Sequence, residues 1–345
     1  MSRGPIWRAA LAGVCAAAVL LTGGFVGGCA RRGDPAGPSD DGSVGYSLVG
    51  TVPIAGYAEG VEVEGETVLV AAGEGGLVLF DATDPAAPAY LGTASNDFVS
   101  YRCAYAPTAE VAFVTDGPNG VLAFDVGDPA SPSWKTILQS TSGQDVVAVE
   151  TDPGELIHIY VADKNGGFRI WEMDVSYAPP WFPFQTFHGY PEGYAKGLCL
   201  HDGHALVAAG QTGLTVYELV DATSAIEVGE VDTPGNALSV TASGDYAFVA
   251  DGLGGLAVVA LADSAGPALV ASLELDDYAA DICYSNGRVF VAARYGGLRV
   301  VDVSDPESPR EVGSLDTPYA NGVRAAGDFV YVADRDWGLV ITEEN

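Results

Sequence analysis

One short pattern recurs seven times along this chain of 345 residues. Each copy is a five-residue apolar run with valine at its centre: VLVAA (68–72), AFVTD (112–116), IYVAD (159–163), ALVAA (205–209), AFVAD (247–251), VFVAA (289–293) and VYVAD (330–334). Successive central valines stand 44, 47, 46, 42, 42 and 41 residues apart. A unit this short cannot bury its apolar faces alone, so consecutive units must stack on one another. Five or six residues after each valine comes a glycine, followed by a second apolar run: LVLFD (77–81), VLAFD (121–125), FRIWE (168–172), LTVYE (214–218), LAVVA (256–260), LRVVD (298–302) and LVITE (339–343). Runs of five residues rich in β-branched and aromatic side chains and bounded by glycine are strands, and two of them around a tight turn make a hairpin.

Two more strands complete each unit. One precedes the hairpin, as in ALSVTA (237–242), and one follows it, as in REVGSL (310–315). Asp-Pro pairs with a second proline three residues on, at Asp84-Pro85 with Pro88, Asp128-Pro129 with Pro132 and Asp305-Pro306 with Pro309, end the third strand. Proline there fixes φ and removes a ladder donor. Four strands in a unit of ~40–45 residues predict an all-β fold, a seven-bladed β-propeller of four-stranded antiparallel blades over residues 45–345. The seventh unit ends after its third strand, whereas a spare strand, YSLVGTV (46–52), precedes the first unit and matches the fourth-strand pattern EVGSL (311–315). The expectation is that this N-terminal strand joins the last blade and closes the ring, leaving no free edge there.

The runs LVLFD, LRVVD and LVITE, with the turns VADG (249–252), DVSDP (302–306) and DTP (232–234, 316–318), resemble the LVIVD repeat family of exported bacterial and archaeal proteins. The resemblance covers roughly residues 45–345. It implies a propeller at the cell surface and brings no established activity or catalytic residue with it. Units three and five depart from the pattern, with Glu172-Met173-Asp174 and Ala260-Leu261-Ala262 where the others turn through Asp-x-Ser-Asp-Pro.

The N-terminus reads as an export address. Arg3 and Arg8 precede an apolar run from Ala9 to Leu21, which is too short to span a bilayer, a task that takes ~20 residues. Val26-Gly27-Gly28-Cys29 resembles the lipobox of bacterial lipoproteins, in which the signal is cleaved before the cysteine and the thiol is acylated. Residues 1–28 are therefore expected to be a signal peptide and Cys29 the lipid attachment point. Residues 29–44, rich in Gly, Pro, Asp and Ser, form a tether with too little apolar surface to order itself. Ala30 stands where inner-membrane lipoproteins carry aspartate, which favours the outer membrane or cell surface.

Charge narrows the partners. The chain carries 46 Asp and Glu against 15 Lys and Arg, for a net charge of −31. Such a surface repels phosphate backbones and forfeits the counterion release that supplies most nucleic-acid affinity, so no nucleic acid is expected. Three cysteines remain in the body, Cys103, Cys199 and Cys283, and strand alternation aligns them with Val61, Val240 and Val323 as small core groups. His201 and His204 lie three apart, too sparse a ligand set for zinc. No catalytic triad, phosphate loop, calcium loop or cofactor motif is legible.

In a propeller the loops from strand four to the next strand one, and from strand two to strand three, share one face around the channel. That face collects Tyr101, Arg102, Asp145, Lys164, Tyr194, Lys196, Asn236, Asp281, Arg294, Tyr295, Tyr319, Asn321, Arg335 and Trp337. Cations and aromatics gathered there in an acidic chain resemble a binding surface for an anionic or sugar-like group. The competing expectation is that these cations merely neutralise the turn aspartates Asp116, Asp163, Asp251 and Asp334, which are themselves expected to cap turn N–H groups. Three functions stand: a binding or assembly scaffold for an envelope protein or glycan; an extracellular hydrolase or lyase using Glu59, Asp145 or Asp281; and an acidic structural spacer without a ligand.

Overall fold

The computed structural model describes residues 45–95, 98–262, 266–275 and 277–345. The signal segment 1–28, Cys29 and the tether lie outside the described residues. Seven four-stranded sheets, each an antiparallel meander, form the ring. Blade one runs from Gly60–Glu64 through Thr67–Ala71 and Leu77–Asp81 to Ala89–Ala94, and blades two to six repeat it over 103–138, 145–189, 197–231, 239–273 and 281–315. Blade seven takes three strands from the C-terminus and its fourth from Tyr46–Val52, which pairs with Gly338–Glu344 from Tyr46↔Glu344 to Val52↔Leu339.

A shared defect marks the N-terminal strand as a true fourth strand. In every blade the pairing of strands three and four slips by one residue near its middle. The bulged residues are Leu91, Lys135, Thr186, Val228, Val270 and Val312 in blades one to six, and Val49 in blade seven. A bulge adds local twist and bends the outer strand around the blade. The closing strand repeats the device 295 residues away in sequence from its partner, and Thr342 Oγ1 donates to Ser47 O at 2.6 Å across the seam.

The core lies between blades. All seven central valines are fully buried, and each apolar cluster draws on two adjacent blades, as where Val68, Val70 and Phe80 of blade one meet Tyr331, Leu339 and Ile341 of blade seven. The second and third strands are therefore apolar on both faces, which is why their runs read as continuous rather than alternating. Where the Asp-Pro stop is missing, the third strand runs on, to Asp174 in blade three, Asp221 in blade four and Ala262 in blade five.

One expectation needs correction. Cys103 pairs with the central Val114 and does sit at the Val61 position, but the residues opposite the central valines in blades four and six are Leu198 and Ile282. Cys199 and Cys283 are one residue further on, facing Leu206 and Phe290, and so point to the other side of their sheets. Because both faces of an inner strand are covered by neighbouring blades, a one-residue shift still leaves Cys283 buried. Burial pushes the Cys103 thiol up to about 12.

Candidate functional site

The turn aspartates build the channel face. Asp116 Oδ1 accepts the Val99 amide at 2.9 Å, and Asp163 accepts the Thr141 and Ser142 amides at 2.9 and 2.5 Å. Asp251 accepts the Gly235 amide at 2.7 Å and the Thr233 hydroxyl at 2.7 Å. Asp334 holds three amides, those of Tyr319, Asp336 and Trp337, at 2.8–2.9 Å. Each carboxylate thus ties its own hairpin turn to the loop arriving from the preceding blade. That loop also bridges to the turn of the preceding blade through paired backbone bonds, as at Gly73↔Ser100 and Arg294↔Ala320.

On this frame the innermost strands deliver one residue per blade to the channel mouth: Glu59, Tyr101, Gln144, Lys196, Leu238, Ala280 and Asn321. Their equivalence follows from register. In blades one to six each of their amides donates to the carbonyl of the residue immediately after the central valine, as in Glu59 N→Ala71 O, Tyr101 N→Thr115 O and Lys196 N→Ala208 O. Together with Arg102, Lys164 and Arg294 they line a cavity of about 430 Å3. Four cations and one carboxylate surround it, in a molecule whose net charge is −31.

The cations do not neutralise the turn aspartates. Among the described residues Asp163 is paired by Arg169 at 2.6 Å, while Lys164, Lys196, Arg294 and Arg335 form no ion pair. Arg294 and Arg335 rest on aromatic faces instead. The Arg294 guanidinium lies 4.2 Å from the Tyr278 ring centre, and that of Arg335 lies 4.6 Å from Tyr57 and 5.6 Å from Tyr319. Tyr295 meets Tyr319 edge-on at 4.6 Å, and Asn236 Nδ2 donates to the Tyr278 hydroxyl at 3.4 Å. Tyr57, Tyr101, Tyr194, Tyr295 and Trp337 are exposed. Burial, and then the neighbouring Lys164 charge, lower the Lys196 pKa. Burial raises that of Glu59 against the pull of Arg102, Arg335 and Arg294.

Asp145 and Asp281 are not mouth groups. Both are buried one position deeper, in the channel wall. Asp145 Oδ2 accepts the Leu198 amide of the next blade at 3.0 Å, and Asp281 accepts the Val323 amide at 3.0 Å and the Ser239 hydroxyl at 2.7 Å. Arg324 reaches Asp281 at 3.3 Å and Glu62 at 3.1 Å. Arg102 crosses the mouth from blade two, donates to the carbonyls of Glu59 and Asn321, and stands 3.8 Å from Asp281. Burial raises the pKa of Asp145. Asp281, equally buried, is lowered because Arg102 and Arg324 both face it, together with the Ser239 hydroxyl and the Val323 amide. Glycines complete this layer where blades approach closely: a Cβ on Gly197 would stand 2.5 Å from Leu238 O, and one on Gly60 2.7 Å from Tyr101 O. The channel is thus plugged by an ionic layer beneath an open cationic mouth.

Gln144, Ser142, Leu238 and Ala280 were not singled out from sequence, nor was the Arg324–Glu62 pair. Aligning the first strands of all seven units would have found the first group. The charged layer joins residues some 260 positions apart and carries no local signal.

The LVIVD repeat profile matches residues 55–95, 234–274, 277–317 and 319–342. Those four stretches are LVIVD repeats. The matched stretches fall in blades one, five, six and seven. Spacing between central valines stretches to 44, 47 and 46 residues on the way through blades two to four, which the profile does not match. No curated protein matches the chain. Among solved structures the chain is similar to the RRP9 WD40 repeats, at 9% identity over 88% of this chain and 99% of that one with a TM-score of 0.66. It is also similar to the computationally designed Ika8 protein, at 9% identity over 86% and 99% of the two chains with a TM-score of 0.59. Likeness at that identity is likeness of fold alone. Among the described residues no cluster of three or more His, Cys, Asp or Glu is placed to hold a metal ion.

Proposed function

We propose that this propeller is a non-enzymatic binding scaffold of the cell envelope, tethered by lipid at Cys29 and using its channel mouth to hold a protein or glycan partner. The observation that carries the reading is the cationic mouth. Lys164, Lys196 and Arg294 face a cavity whose one lining carboxylate, Glu59, forms an ion pair with none of them among the described residues. Of the three carboxylates a hydrolase or lyase would draw on, Asp145 and Asp281 are engaged with backbone amides and arginines beneath it, and Glu59 stands at the mouth without a second acid beside it. Exposed Tyr295 and Trp337 supply stiff contact area beside Arg294 and Arg335.

The entry point of the chain suits a tethered role. Val52 pairs beside the mouth-face turn of blade seven, and Tyr46 lies at the far end of that strand. The described residues thus begin at the face opposite the mouth, which leaves the mouth free when the chain is anchored through Cys29. Export, acylation and outer-membrane delivery are parts of the same proposal, supported by the Val-Gly-Gly-Cys sequence and by Ala30.

The test is capture from envelope extracts on the immobilised propeller, wild type against a variant with Arg294, Tyr295, Arg335 and Trp337 all replaced by alanine. Partners retained by the wild type should be lost from the variant. Equal recovery on a variant with wild-type circular dichroism would remove the mouth from the function.

A further inference from the structure

The two-to-three turn of each blade places its second residue at the edge of the mouth. In blades one, two, four and five that residue is glycine with positive φ: Gly73 at 57°, Gly117 at 44°, Gly210 at 68° and Gly252 at 59°. At Gly73 and Gly210 a Cβ would meet nothing closer than 3.4 Å, so dihedral geometry rather than space favours glycine there. Blades three and six keep the same left-handed backbone but carry Lys164 at 34° and Arg294 at 46°. Neither is Asn or Asp, whose short side chains ease this conformation. Strain held at a rim is an outlier that points to function, because a residue easier to accommodate already occupies the position in four sister blades.

Both strained side chains are cations that line the cavity, and among the described residues neither forms an ion pair, with Glu59 or any other carboxylate. Arg294 also buries its Nε–H without an acceptor. Lys164 sits beside Lys196, whose Nζ has only the Gln144 side-chain carbonyl at 3.4 Å. Two like charges held together and a buried guanidinium Nε–H without a protein acceptor are unfavourable and are relieved by an anion. Lys164 and Arg294 belong to blades three and six, on different sides of the seven-blade ring, so one monovalent group does not serve both.

We propose that the channel mouth binds a small multivalent anion, bearing at least two carboxylate or phosphate groups, with one group on Lys164 and Lys196 and another on Arg294. This rests on the scaffold reading of the mouth and names its ligand chemistry. The site accepts such a group free or at the end of an acidic saccharide, for which exposed Tyr101 and Tyr295 offer flat faces. A long polyanion is a different matter, since it would run onto the acidic surround. Arginine on the Tyr278 face is pre-oriented for a bidentate contact.

The experiment uses the propeller with pyrophosphate, trigalacturonate and polyglutamate as calorimetric probes at low and moderate salt. The variants are Lys164→Gly, Arg294→Gly and Lys164→Gln. Pyrophosphate or trigalacturonate should bind, more weakly as salt rises, and whichever binds identifies a free or a saccharide-borne anion. Each glycine variant should lose at least tenfold in affinity while its melting temperature holds or rises by about 1–3 °C as the strain is released. Lys164→Gln, which removes the charge but keeps the Cβ, should lose affinity without that gain. Binding by neither small probe, by polyglutamate alone, or undiminished binding in the glycine variants would overturn the assignment. Envelope capture that survives such a result would leave the scaffold standing with a different ligand.

Discussion

At the residue scale the aspartates of this chain act mainly as acceptors for backbone amides. Asp81, Asp174, Asp221 and Asp302 end third strands and accept amides two residues on, at Thr83, Ser176, Thr223 and Ser304. Hydrogen bonds from Ser304, with Arg310 adding to them, hold the Asp302 carboxyl down at about 2. Asp334 accepts three backbone amides, those of Tyr319, Asp336 and Trp337, and has no exposure to solvent. Removing it strands donors that the loop cannot turn toward water, and a buried unsatisfied donor costs about 1–3 kcal/mol. Asp334→Ala is therefore expected to lower unfolding free energy by about 2–3 kcal/mol, read as an earlier urea midpoint at unchanged slope. A loss below about 0.5 kcal/mol would mean that the loop re-forms its bonds through water. Residue types and turn spacing make the capping legible in sequence. The partners were not legible, because each acceptor serves the loop of a preceding blade rather than its own turn alone.

At the scale of the element, the decisive strand is Tyr46–Val52. Its hydrogen bonds cover the edge of Gly338–Glu344, its Tyr46 ring meets Phe290 edge-on at 6.0 Å, and Arg288 ties Tyr46 to Glu344 across two blades. An uncovered strand edge is a template for another chain. A protein beginning at residue 53 is expected to run on gel filtration as dimers or larger species, through the strand Gly338–Glu344. A monomeric truncation of undiminished stability would show that closure is dispensable. That the strand exists and belongs to blade seven follows from its match to the other fourth strands. Its bulge at Val49 does not, because the slip arises from pairing with a twisted partner.

At the scale of the whole molecule, charge is divided by location. Five of the body's basic residues, Arg102, Lys164, Lys196, Arg294 and Arg335, gather at one end, so the remaining surface carries an excess of carboxylates with few local partners. Mutual repulsion on that surface opposes the compact state, and dissolved ions screen it over about 10 Å at 0.1 M. The melting temperature is expected to climb as sodium chloride is raised from 0.05 to 0.5 M (about 13 to 4 Å of screening length). A flat response would mean that the carboxylates are already relieved by their amide contacts.

The repeat itself determined strand number, blade count, ring closure and which loops share the mouth face, because each is a periodic property written in short stretches of chain. Tertiary structure alone decided which of their residues meet. Ring closure brings Arg324 to Glu62 and Arg102 to Asp281, turning the candidate mouth acids Asp145 and Asp281 into parts of an ionic layer below the mouth, and it leaves Lys164, Lys196 and Arg294 without an ion pair among the described residues. The physical reason is that a blade's sequence specifies its own pairing and turns, whereas the charges around the channel are summed over seven blades whose facing residues lie hundreds of positions apart.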